Sequence, residues 1–370
     1  MLERGLEEKT YVLNLGPQHP STHGVLRVEL EMEGEFITKA DPDIGYGHRG
    51  HEHMAENRTY AQFLPNMGRV DYLHALAYNQ GYCMAVEKLL GLTVPERGEF
   101  IRVITAEMNR LCSHLLWVGA YLMDLGAFTP FLYCFDDREQ LLDLLDYLTG
   151  SRLTYCFYRF GGSPVDIDDD FTAGCRKFIK RLRSRWADYD NLVTKNVIFI
   201  HRARDVGLIT QDQCIRYGLT GPMVRGSGIP YDIRKSEPYS AYPRFDFEIP
   251  IGDRGDVMDR YLVRIREMEQ SLRIIEQALD KIPTGPIMAE KVPKRIKPAA
   301  GEVYSAVETA RGEFGCFIVS NGDVKPYRIK LRVPSFGNLS ILPEIAVDTL
   351  VADLVAILGS IDVVVPEIDR

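Results

Sequence analysis

An α+β fold is predicted, with a central helical bundle set between an N-terminal antiparallel β-sheet region and a C-terminal β-containing segment. Three observations predict it: two-residue apolar alternation within the first 46 residues, three-to-four-residue apolar spacing over much of 50–282, and a return to alternation at 302–333. With 370 residues, 45% hydrophobic and 26% charged, the chain can bury a substantial core, which excludes disorder and fibre. The boundaries drawn are 1–48 for the β region, 49–200 for the helical core, 201–252 for an extended Gly/Pro/Tyr-rich segment, and 253–370 for a long helix followed by β and α structure.

The elements follow in order. Leu26, Val28, Leu30 and Met32 alternate with Arg27, Glu29 and Glu31, the pattern of a half-buried strand, and Tyr11 to Leu15 forms an earlier strand joined to it through GPQHPSTHG. Helices are expected near 67–90, 97–125 and 136–148, separated by the turn-rich LGLTVPERG and GAFTP, and another near 168–193. The stretch from Gly207 to about 252 is longer than an ordinary connection, which points to function or to wrapping a partner. From 256 to 282, Met258, Tyr261, Ile265, Met268, Leu272, Ile275, Leu279 and Ile282 make one buried stripe. In the last β segment Asn321-Gly322 is a strong turn dipeptide.

Charge and cysteine usage narrow the function. Asp plus Glu outnumber Lys plus Arg by 52 to 44, so the basic footprint of a nucleic-acid binder is missing. MLERGLEEKT is unlike a secretory signal, and Leu111 to Leu125, broken by His114 and Asp124, is too short to span a bilayer, so a cytoplasmic chain without membrane spans is expected. Seven scattered cysteines include no Cys-x-x-Cys pair, so they are read as reduced thiols and no bound metal is expected. GxxxxGK[ST], GxGxxG and GxSxG are absent, which removes support for nucleotide-binding and serine-hydrolase readings.

The segment from 97 to 125 is the most informative. On a helical wheel Glu107, Arg110, His114, Trp117, Tyr121 and Asp124 share an arc of about 100°, while most of the remaining surface is apolar. An ionisable stripe on a buried helix must face partners or a wet cavity, so it is either an internal ion-pair ladder, Glu107 with Arg110 and His114 with a neighbour, or the wall of a site. The loop Gly16–Gly24 holds His19 and His23 and is restricted by two prolines and two glycines, so an imidazole there can exchange protons near neutral pH or simply bond its own turn. A carboxylate such as Asp124 would favour the charged imidazole. His48, His51 and His53 lack metal-ligand spacing and are read as surface histidines, and Tyr72, after Arg69 and Asp71 at a helix start, offers a phenolic donor or a structural contact.

GPQHPSTHGVLR, IGYGHRGHEHMAENRTY, RVDYLHALAYN, MDLGAFTPF, GLTGPMVRGSGIPYDIRK, RYLVRIREMEQSLRIIEQAL, ARGEFGCFIVSNG and the terminal EIDR resemble, in order and over nearly the whole chain, the hydrogenase-like quinone-site subunit family of respiratory complex I, the D subunits of bacterial NADH-quinone oxidoreductases. The resemblance implies a nickel-iron hydrogenase large-subunit-like fold. It also implies quinone as substrate (menaquinone or ubiquinone), no redox centre in this chain, and a terminal iron-sulfur cluster on the neighbouring B subunit. The C subunit of the peripheral arm and the membrane-arm subunits would be further partners, on the cytoplasmic face of the membrane. By the same resemblance His23 and Tyr72 hold the headgroup, Asp124 pairs with His23, and Arg49 and Arg69 lie near the partner's cluster. The hydrogenase metal needs two Cys-x-x-Cys pairs; here those sites read Arg69-Val-Asp-Tyr72 and Asp362-Val-Val-Val365, which argues against hydrogenase activity.

Two departures bear on partners. The segment between Ile282 and Gly301 is short, as in deazaflavin-dependent relatives, which leaves the donor open between NADH and a deazaflavin or ferredoxin, with a quinone or a phenazine as acceptor. Thr154 stands where many ubiquinone-linked members carry a histidine, and threonine does not titrate there. A non-redox scaffold role is the different-class alternative, opposed by retention of His23, Tyr72 and Asp124 together.

Overall fold

The computed structural model describes residues 10–18 and 24–370. An antiparallel sheet of β1 (Thr10–Leu15), β2 (Arg27–Glu33) and β3 (Phe36–Asp43) opens the chain in sequential order. The β1–β2 register ends at Leu15↔Val28. Val28, Leu30 and Met32 are buried while Arg27, Glu29 and Glu31 are only partly so, as period-two alternation requires.

The bundle contains α1 (His51–Asn57), α2 (Tyr60–Met67), α3 (Ala75–Leu90), α4 (Glu96–Asp124), α5 (Phe128–Thr149) and α6 (Asp169–Tyr189). The helix expected over 67–90 begins only at Ala75: a separate helix, α2, capped by a box at Thr59, ends at Met67, and residues 68–74 leave helical geometry before α3 begins. Gly68 explains the tight passage, since a Cβ there would lie 2.9 Å from the Tyr155 carbonyl oxygen. A single π-helical turn, Asp190–Thr194, extends α6.

The Gly/Pro/Tyr-rich stretch is not uniformly extended. It carries α7 (Val197–Ala203) just before it and then α8 (Gln211–Tyr217), α9 (Pro222–Gly226) and α10 (Ile233–Ser236), short helices that place Arg225, Asp232 and Arg234 inside the molecule. The long amphipathic helix α11 (Val257–Lys281) packs along α4. A second antiparallel sheet, β4 (Gly301–Glu308), β5 (Glu313–Ser320) and β6 (Arg328–Arg332), packs on α3. Asn321-Gly322 begins a longer β5–β6 loop instead of forming a two-residue hairpin. The chain ends in α12 (Pro334–Leu339), α13 (Leu342–Ile345), α14 (Val351–Ile361) and α15 (Val365–Asp369). Among the described residues no helix is long and apolar enough to cross a membrane.

The α4 stripe is an internal ion-pair ladder over its first half, from Glu107 to His114. Glu107 pairs with Arg110 and Arg234, both at 3.1 Å, and accepts hydroxyl bonds from Ser271 and Tyr242, each 2.6 Å. Burial opposes its charge, yet the two guanidiniums and two hydroxyls hold its carboxyl down at about 2. His114 Nε2 lies 3.0 Å from Glu267, which Arg225 engages at 2.6 Å. Trp117 donates to the Gly359 carbonyl at 2.8 Å and stacks on Tyr121.

Candidate functional site

The loop 68–74 between α2 and α3 is pinned on both sides of Tyr72. Asp71 Oδ1 accepts the backbone N–H groups of Leu73 (2.9 Å) and His74 (3.2 Å), and Oδ2 pairs with Arg311 at 2.9 Å. Asn109 of α4 donates to the Leu73 carbonyl at 3.0 Å and accepts the Leu76 N–H at 3.1 Å. His74 Nδ1 accepts the Ala310 N–H at 2.8 Å, so Nε2, 3.0 Å from the Ala106 carbonyl, is the protonated nitrogen of a neutral ring. Burial lowers the His74 basicity further. Tyr72 is thus held by backbone anchors and leaves its phenol at an open face.

That face is a cleft of about 600 Å³ lined by Tyr46, Gly47, His48, Arg49, Arg69, Tyr72, Leu153, Thr154 and Pro366. Arg49 donates to the Arg69 carbonyl at 3.1 Å, which ties the two cationic residues into one wall. The 44–50 loop is fixed by Asp369, whose carboxylate accepts the N–H groups of Gly45 (2.8 Å) and Gly47 (2.6 Å). Thr154 sits at φ +48°, a left-handed conformation costly for a β-branched side chain. Its loop is clamped from behind: Glu87 accepts the Gly161 N–H at 2.7 Å, and Ala289 donates to the Gly161 carbonyl at 2.8 Å. Burial raises the Tyr72 phenol above its ordinary value, and Arg311 partly offsets this.

Tyr72, Arg49 and Arg69 therefore come together, with Thr154 on the same wall. His23 lies outside the described residues. Gly24, which ends its loop, packs on Val365, the residue before Pro366 of the cleft wall; a Cβ on Gly24 would lie 3.3 Å from the Val365 side chain. Asp124 is half-buried at the end of α4 and is not among the residues lining the cleft. Sequence reasoning missed His48 and Pro366 as lining groups. It also read His51 as a surface histidine, whereas His51 is buried, 2% exposed, with neither ring nitrogen hydrogen-bonded among the described residues. Burial, with Arg49, His48 and Arg69 adding to it, lowers His51 to about 4.

Behind Tyr72 the 69–72 and 362–365 segments meet. Arg311, from the β4–β5 turn, bridges Asp71 at 2.9 Å and Asp362 at 3.4 Å, so a guanidinium sits between two carboxylates. No group of three His, Cys, Asp or Glu side chains is arranged to hold a metal among the described residues.

The fold and cleft define a hydrogenase-like polar scaffold with a phenol and two arginines facing outward. The chain belongs to the family of the respiratory-chain NADH dehydrogenase 49 kDa subunit, and the match covers residues 124–299 and 290–370. It is 63% identical over 363 residues to the D subunit of the NADH-quinone oxidoreductase of Syntrophobacter fumaroxidans, covering 98% of this chain and 97% of the relative. The corresponding protein of Desulfotalea psychrophila is 58% identical over 363 residues, covering 98% of each chain. That of Desulforamulus reducens is 49% identical over 364 residues, covering 98% of this chain and 99% of the relative.

Proposed function

We propose that this chain is the D subunit of a proton-translocating NADH-quinone oxidoreductase and that the cleft bearing Tyr72 is its share of the quinone-reduction site. The observation that carries the proposal is the convergence of a rigidly anchored phenol with Arg49 and Arg69 in one open cleft. In this reading Tyr72 donates a hydrogen bond and a proton to the headgroup as electrons arrive from an iron-sulfur cluster on the B subunit. His23 is the second headgroup ligand and Asp124 holds it charged. The arginines favour the more negative, reduced state of the neighbouring cluster.

The C subunit and the membrane arm complete the assembly on the cytoplasmic face. An apolar patch of Met123, Phe128, Leu132, Val197 and Ile198, all exposed, supports a covered face beside the end of α4. The experiment is Tyr72→Phe in the assembled complex. Quinone reduction should fall roughly tenfold or more, the effect of about 1.4 kcal/mol in the barrier, while reduction of a soluble artificial acceptor by NADH persists. Unchanged quinone kinetics would remove the cleft from the site. One observation favours a second reading of the donor side: residues 282–300 form no helix and cross as a short strap. Efficient turnover with reduced deazaflavin or ferredoxin, and none with NADH, would establish it.

A further inference from the structure

Three buried acids, Asp71, Asp362 and Glu367, lie behind the cleft wall beside two guanidiniums, which pair with the first two only. Asp71 and Asp362 both contact Arg311, and Asp362 also faces Arg264 Nε at 3.8 Å. Glu367, fully buried on α15 next to Pro366, has no guanidinium within ion-pair distance among the described residues. It is held by hydroxyls instead: Tyr78 of α3 donates to Oε1 and Ser335 of α12 to Oε2, each at 2.5 Å, and the Ser335 N–H reaches Oε1 at 3.3 Å.

We propose that Glu367 is a positioning residue that sets, through Arg311, how readily the Tyr72 phenol releases its proton to a bound headgroup. The inference rests on the cleft reading above. The groups around Glu367 and Arg311 are Asp71 and Tyr72 from the 68–74 loop, Tyr78 from α3, Ser335 from α12 and Asp362 at the end of α14. On the same helix as Glu367, Asp369 is engaged by Gly45 and Gly47. Three acids against two guanidiniums leave one negative charge in excess in a water-poor interior, which the cluster relieves by holding a proton. Burial raises the Asp71 carboxyl as well, but a guanidinium and two backbone N–H donors oppose this, whereas Glu367 has no direct guanidinium among the described residues; the proton is therefore assigned to Glu367, whose O–H then donates to Ser335 Oγ in place of the reverse bond. Burial first, and Asp71 second, push the Glu367 carboxyl up to about 7.

The Tyr72 phenol feels Arg311 favouring its ionised form, with Asp71 and Asp362 opposing. When Glu367 ionises, it draws on the Arg311 field and makes the phenol a weaker acid. In the catalytic step the Tyr72 O–H bond breaks as the headgroup oxygen, made basic by the electrons that the complex delivers, forms its own O–H bond. The phenolate then regains a proton from water in the open cleft.

The test is the pH profile of quinone reduction in the assembled complex between pH 6 and 8, with NADH-driven reduction of a soluble acceptor as the electron-entry control. Glu367→Gln, which fixes the neutral form, should flatten the fall in rate toward pH 8 by about three- to tenfold, the effect of half to one pKa unit on the phenol. Tyr78→Phe removes a donor to the carboxylate and should move the same limb to higher pH; it decides the matter if Glu367→Gln fails to assemble. In a Tyr72→Phe background Glu367→Gln should no longer alter the profile. A wild-type profile in Glu367→Gln, or an unmoved limb in Tyr78→Phe, overturns the inference while Tyr72→Phe still reports on the cleft. Full quinone reduction in Tyr72→Phe overturns both.

Discussion

Glu87→Ala should destabilise the protein severely, because it strands a buried arginine and releases the loop that bears Thr154. Arg102 is fully buried and makes a two-pronged contact with Glu87 at 2.6 and 3.0 Å; Glu87 is 4% exposed. Without that carboxylate, Arg102 retains only Glu99 at 3.8 Å and the carbonyls of Arg159 and Gly162. An uncompensated buried charge costs about 3–5 kcal/mol and the orphaned Gly161 N–H about 1–3 kcal/mol more. Partial relief by Glu99 brings the expected loss to about 3–4 kcal/mol, against a total stability of about 5–15 kcal/mol for an ordinary domain. Pulse proteolysis of the assembled complex in urea, following the intact band of this chain, should show its midpoint lowered by about 1 M or more. Glu87→Ala with Arg102→Met removes the stranded charge and should recover about half of the loss, the remainder being the freed carbonyls. A single-variant loss under about 1 kcal/mol, or a double variant that unfolds as early as the single one, would refute the reasoning.

Asp124→Asn should reproduce much of the quinone-reduction loss of His23→Ala, and the double variant should be little worse than either; additive losses in steady-state kinetics would show that the two act separately. Thr154 cannot titrate, so the midpoint potential of the iron-sulfur cluster proposed on the B subunit should vary little between pH 6 and 8. Redox titration by electron paramagnetic resonance checks this, and a slope of about 59 mV per pH unit would contradict it. Thr154→His should introduce such a slope, and the +48° φ at this position is one that histidine tolerates better than threonine. His51, neutral in the fold with its basicity lowered to about 4, contributes stability that is complete above about pH 6.5 and is lost as pH falls toward 4. Amide hydrogen-exchange protection in α1 should decline over that window, and His51→Phe should abolish the dependence.

The elements most legible in the sequence were those where one periodicity ran uninterrupted. The strand alternation of Val28, Leu30 and Met32 and the stripe of α11 both appear in the structure, and α4 ends at Asp124, one residue short of the predicted limit. The break at 68–74 was illegible because apolar residues continue through it; the backbone leaves the helix for tertiary reasons, the Gly68 approach to Tyr155 and the Asp71 anchor to Arg311. Tyr72, Arg49 and Arg69 are singled out by the resemblance of the segments that carry them; from the residues alone Tyr72 reads only as a phenolic donor or a structural contact. Glu367 could not be singled out, since its importance depends on Tyr78, Ser335 and Arg311, which lie far away in sequence and meet it only through packing.

The same contrast bears on why the cleft can be both polar and rigid. A site made only of surface loops would lose side-chain entropy each time it organised around a headgroup. Here the lining residues are short extensions of buried anchors: Tyr72 follows Asp71, Pro366 precedes Glu367, and Gly47 and His48 hang on Asp369. Each anchor is an acid satisfied by backbone N–H groups, hydroxyls or Arg311, so the cleft wall is organised before any ligand enters. Arg311 at the junction also supplies a fixed positive charge between Asp71 and Asp362. That charge favours the ionised form of the Tyr72 phenol, which lines the cleft, and such support is what a proton donor there would need.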